Sequence, residues 1–122
     1  MRNLCRAIWG VGLGLALGLA LVSCDTRIPT VTPEFVAHAQ RQDPSVSTAG
    51  LEHARSLYVN RCGSCHALTD PQSYDEPQWR HWMQRMAPKA RLDAEQSQAV
   101  LGYILAARDL SARDLSAGNQ AR

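Results

Sequence analysis

Residues 61–66 read Arg61-Cys62-Gly63-Ser64-Cys65-His66. Two cysteines stand three positions apart, and a histidine directly follows the second. A zinc clamp, a redox disulfide and a covalent haem site all begin this way. The residues around the motif have to choose among them.

The N-terminus comes first, because it sets the compartment. Arg2 and Arg6 precede Ala7–Val22, sixteen residues without a charge. A membrane-spanning helix needs ~20 apolar residues, so this run fits the apolar region of an export signal. It ends in Leu21-Val22-Ser23-Cys24. That ending resembles the lipobox of bacterial lipoproteins, which implies cleavage before Cys24 and lipid on its sulfur. Residues 1–23 are then a signal peptide, and the rest is exported. Of thirteen basic residues two lie in the leader, so eleven remain against eleven acidic ones. Net charge therefore selects no class of partner and gives no sign of a nucleic-acid binder. Cys5 leaves with the leader and Cys24 is used for lipid, so only Cys62 and Cys65 remain as thiols.

Residues 24–49 carry Pro29, Pro33 and Pro44 with several Thr and Ser, the composition of a lipid-anchored linker. Pro33-Glu34-Phe35 also suits the first turn of a short helix to about Gln42. With the only Phe of the chain, that helix either docks on the domain or stays a spacer. From Ala49 the pattern is helical: Leu51, Ala54, Leu57 and Tyr58 share one face running into Cys62. After a polar loop, Asp75 or Glu76 caps a second helix that starts near Pro77 and ends near Pro88. A third begins around Asp93 and Glu95, and its apolar face includes Val100, Leu101, Ile104 and Leu105. No period-two run or hairpin turn is present. Ala107–Ser111 and Ala112–Ser116 both read ARDLS, a five-residue shift that matches no helical period. Residues 111–122 are expected to form a polar tail after a fraying helix end. The fold class is all-α: three to four helices over residues 50–110.

A domain that small usually needs a staple, and no disulfide framework is available. Zinc lacks ligands, because no second cysteine pair exists and His38, His53 and His81 are dispersed. His38 and His53 read as surface residues. A thioredoxin-like disulfide would follow a strand, whereas a helix precedes Cys62. Covalent haem c fits best. Two thiols at this spacing suit the two vinyl groups, and His66 is placed to bind the iron. An exported chain and an undersized helical core both agree with it.

Over residues 50–108 the chain resembles the class I, single-haem bacterial cytochromes c. The resemblance rests on Cys62-x-x-Cys65-His66, on Ala54-Arg55-Ser56-Leu57-Tyr58 before it, and on Gly102-Tyr103-Ile104-Leu105 in the last helix. It implies a last helix crossing the first, with Ala54 and Gly102 small enough for close approach and Tyr103 at the crossing. It also implies a downstream Met as the second axial ligand of the haem iron.

Trp79-Arg80-His81-Trp82-Met83-Gln84-Arg85-Met86 supplies the candidates. At 100° per residue, Trp79, Trp82, Met83 and Met86 share one helix face. Met86 is the expected ligand, because Met86-Ala87-Pro88 is followed by Asp93-Ala94-Glu95 as the family pattern implies. Met83 is the alternative, since spacing does not fix which sulfur reaches iron. His81 points off that face. Only nineteen residues separate His66 from Met86, so the connection must be tight. Trp79 or Trp82 is expected to donate its indole N–H to a haem propionate. Arg80, Arg85, Lys89 and Arg91 either neutralise propionates or stay solvated.

With both axial positions filled, the iron has no open site, and the expected role is electron transfer rather than catalysis. The resemblance implies a membrane-tethered carrier passing electrons between redox partner proteins on the periplasmic side. Asp25 after Cys24 resembles the inner-membrane retention signal of enteric bacteria. A flexible tether of ~24 residues would span on the order of 25–30 Å. The alternatives are a haem subunit of a periplasmic oxidoreductase complex, and a haem enzyme or gas sensor with an open distal site.

Overall fold

A computed structural model describes residues 28–120, with side chains through Arg113. The expected signal peptide, residues 1–23, and Cys24 lie outside the described residues. Four helices form the fold: α1 (Pro33–Gln42), α2 (Thr48–Leu57), α3 (Glu76–Met86) and α4 (Ala94–Gln120). The chain is all-helical, with no strand among the described residues. None of the described helices is long and apolar enough to cross a membrane.

Local chemistry explains where the helices begin. Each of the first three starts behind a hydroxyl or carboxylate that accepts from a free amide of the first turn. Thr32 Oγ1 accepts from Phe35 N (3.2 Å), and Ser47 Oγ accepts from Gly50 N (3.1 Å). Asp75 Oδ1 accepts from Gln78 N (2.9 Å), while Gln78 Oε1 accepts from Asp75 N (3.0 Å), a reciprocal capping box. Asp93 and Gln96 repeat that exchange at the start of α4. The turn between α3 and α4 reverses through Arg91, whose φ of 55° is left-handed. It brings Leu92 N to the carbonyl of Ala87 (2.9 Å).

Packing follows the predicted faces. Leu51, Ala54, Leu57 and Tyr58 are all buried, and α4 sets Val100, Leu101, Tyr103 and Ile104 against them. α4 is the spine: it packs on α1, α2, α3 and a 3-10 turn at Pro71–Ser73. Tyr103 is fully buried at the centre, with Phe35 stacked on it at 5.4 Å and Tyr58 tilted at 6.3 Å. Gly102 does not serve close approach; it is exposed, and a Cβ there would meet nothing within 4 Å. Ala54 on α2 is buried as expected, and on α4 the buried small residues are Ala106 and Ala107.

Three expectations need correction. Residues 24–49 are not simply a linker. α1 docks on α4 and buries Phe35, His38 and Ala39, because one large aromatic in an otherwise polar stretch is enough to seat a short capped helix. His38 is accordingly buried, not a surface residue. Residues 111–122 are not a polar tail from the start. α4 continues to Gln120, since Ala, Arg, Leu and Gln favour helix and no Pro interrupts them. The first repeat is tied down: Ser111 Oγ donates to Ala107 O (3.0 Å), and Asp109 accepts from Gln42 of α1 (3.1 Å).

Candidate functional site

The last turn of α2 widens before the cysteine motif. Tyr58–Cys62 is a single π-helical turn, a local insertion that concentrates at functional positions. Asn60 Nδ2 donates to the Ser56 carbonyl (2.9 Å), adding a donor where the helical ladder is loosened. This turn ends on Cys62 and places Gly63 against it. A Cβ at Gly63 would fall onto the carbonyl oxygen of Val59, so only glycine fits there without backbone movement. Ser64 Oγ donates to the Arg61 carbonyl (2.8 Å) and closes the next turn.

Both cysteines are free thiols; Cys62 is half-buried and Cys65 exposed. Burial pushes the Cys62 thiol above its ordinary pKa. A redox dithiol needs the opposite, a thiolate stabilised near neutral pH. His66 is exposed, and its Nδ1 lies 2.8 Å from the Ala67 carbonyl oxygen. That oxygen can only accept, so Nδ1 is the donor and Nε2 is the nitrogen left for a ligand. A backbone carbonyl holding the distal nitrogen is how a ligating histidine is usually oriented.

The segment after the motif folds back tightly. The buried Tyr58 hydroxyl donates to the Thr69 carbonyl, and burial raises the phenol pKa so that it remains a donor. Asp70 Oδ1 accepts from Gln72 N (2.8 Å), capping the 3-10 turn. Trp79 Nε1 donates to the Pro71 carbonyl (2.8 Å), fastening α3 to that turn. The indole N–H of Trp79 is therefore committed to the backbone, which leaves Trp82 of the two expected propionate donors. Trp82 is half-buried, and its N–H has no hydrogen-bond partner among the described residues. Tyr74 joins the two rings, edge-on to Trp79 at 5.4 Å and tilted to Trp82 at 5.9 Å.

These elements enclose one pocket of about 450 Å³. Cys62, Cys65 and His66 line it from the motif, and Trp79, Trp82, Met83 and Met86 line it from α3. Tyr58, Leu68 and Ile104 add apolar wall. The two motif cysteines, His66 and the Trp and Met candidates of α3 thus meet at a single place. Met83 is buried and Met86 half-buried, and both thioethers reach the pocket wall. His81 is exposed, lies edge-on to Trp82 and is not part of the lining.

Charge around the pocket is one-sided. Arg61 and Lys89 line it, and no carboxylate does. Arg80 pairs instead with Glu76 (2.6 Å) on the outer face of α3, and Arg85 and Arg91 do not line the pocket. Arg61 and Gly63 are the site residues that sequence reasoning missed. Arg61 lies within the quoted motif, so its position was a usable signal. Gly63 carried no signal, because its need arises from the π-turn. Among the described residues no three His, Cys, Asp or Glu side chains gather as a multidentate cluster for a bare ion. No family model, curated protein or solved structure matches the chain.

Proposed function

We propose that this chain holds one haem c through Cys62 and Cys65 and carries single electrons at a bacterial membrane. The reading rests on one observation above the others: both motif thiols, the adjacent imidazole and two thioethers line the same pocket. These groups come from segments separated by a loop, a 3-10 turn and a helix boundary, so chance adjacency in sequence does not account for their meeting.

The residues present fit such a group. The pocket is within the usual size of cofactor clefts, roughly 300–1,000 Å³, and is walled by aromatic and aliphatic side chains. His66 would hold the iron through Nε2, and Met86 or Met83 would supply a second ligand. Arg61 and Lys89 offset the negative charge of two propionates. When bound, the haem supplies a one-electron iron couple whose potential is raised by His/Met ligation. Trp79, Tyr58, Leu68 and Ile104 exclude water from it, and the Ala67 carbonyl fixes the imidazole. Cys24 carries the lipid that holds the protein at the membrane surface, with the inner membrane favoured by Asp25.

Two measurements test the reading. Purified protein should retain a haem stain after boiling in denaturant, and Cys62→Ala with Cys65→Ala should abolish it. The oxidised protein should show the weak long-wavelength absorption band of a thioether–iron bond. Its loss in Met86→Ala but not in Met83→Ala assigns the ligand. A native protein with covalent haem but no such band, binding carbon monoxide when reduced, would overturn electron transfer in favour of a reactive iron.

A further inference from the structure

The N-terminal edge of the described chain is fastened to the domain. Ile28 and Val31 pack against the core. The Pro29 carbonyl accepts two hydrogen bonds, from Arg55 Nε of α2 (2.9 Å) and from the Tyr103 hydroxyl of α4 (2.5 Å). Thr32 then caps α1, whose Phe35 stacks on the same Tyr103. Pro29 is therefore a fixed point, held by two core helices at once.

Cys24 lies five residues before that point. Whatever path residues 25–27 take, five residues span at most ~18 Å. A free linker to residue 49 would have had a contour of ~90 Å. Arg55 and Cys62 are seven residues apart on one helix, on the order of 10 Å along its axis. Adding the Arg55 side chain, the motif stays within roughly 40 Å of the lipidated residue.

We propose that the domain is mounted directly on the bilayer, with the Ile28–Val31 edge toward the headgroups. This rests on the lipidation of Cys24. A short mount keeps the pocket near the membrane plane.

The test uses the full-length, haem-loaded, lipidated protein in supported bilayers of phosphatidylethanolamine and phosphatidylglycerol, read by neutron reflectometry. Intact mass is measured first to establish lipid and haem. The protein layer should begin at the headgroups with no water gap. Inserting about a dozen Gly/Ser residues between Arg27 and Ile28 should move or spread the layer outward by roughly 15–20 Å. Arg55→Gln with Tyr103→Phe, which frees Pro29, should shift it in the same direction. A lipidated native protein whose layer is as remote and diffuse as that of the insertion variant overturns the mount alone. A mass without lipid overturns the anchoring reading, and the mount with it.

Discussion

Gly63 is where one atom decides the site. Its missing Cβ lets the Val59 carbonyl close the π-turn under Cys62. Gly63→Ala should destabilise the protein by about 1–3 kcal/mol, as overpacking does, and lower haem occupancy. Urea midpoints and the ratio of haem to protein absorbance check both; unchanged values would mean the turn relaxes freely. At this scale the sequence was legible wherever chemistry sits in adjacent residues. Cys62, Cys65 and His66 announce themselves, and α3 places Trp79, Trp82, Met83 and Met86 on one face as their spacing requires. It was illegible where a partner comes from elsewhere. The acceptor for the Trp79 indole is the carbonyl of Pro71, which becomes available only once the 3-10 turn forms.

The α1–α4 junction carries the pH dependence of the elements. His38 is buried there, with Arg41 Nη2 and Arg113 Nη1 each 3.3 Å from its Nδ1. Guanidinium can only donate, and so can the Gln42 amide nitrogen 3.3 Å from Nε2, so donors face both ring nitrogens and none of them accepts from an added proton. Burial, then Arg113 and Arg41, lower its pKa below the ordinary 6.5, with Asp109 pulling weakly the other way. The unfolded chain thus binds a proton that the folded chain resists. Stability is full above 6.5 and falls as pH drops through the folded pKa. Urea midpoints at about pH 7.5 and about pH 5.5 should differ in the native protein and draw together in His38→Gln. Phe35→Ala, on the same helix, should cost about 3–5 kcal/mol. Capped starts at Asp75 and Asp93 were readable because a cap and its amide are three residues apart. The docking of α1 was not, because it depends on Tyr103, sixty-eight positions away.

For the whole molecule, the core is thin without the pocket's occupant. Filling about 450 Å³ among apolar walls matters at ~24 cal/mol per Å³, an upper bound of on the order of 10 kcal/mol because the pocket is open to water. That is comparable to the total stability of ~5–15 kcal/mol of an ordinary domain. The haem-free Cys62→Ser/Cys65→Ser protein should therefore keep much of its helical circular dichroism while losing its near-ultraviolet aromatic signal and cooperative melt. A sharp, unchanged melt would deny the haem its part in the core. Fold class and helix order followed from periodicity, while the true domain extent did not. Periodicity describes faces, and the decision to join α1 to the domain is made by the spine it meets.

That spine, α4, comes after the other three described helices in the chain, and it touches each of them. Until it emerges, α1, α2 and α3 lack the helix they assemble on. The cysteine motif emerges earlier, on a chain that cannot yet close around it. Cys62, half-buried once the chain has folded, is thus fully open to covalent modification during a window that ends when α4 arrives, and a chain cut before Ala94 should hold that window open indefinitely.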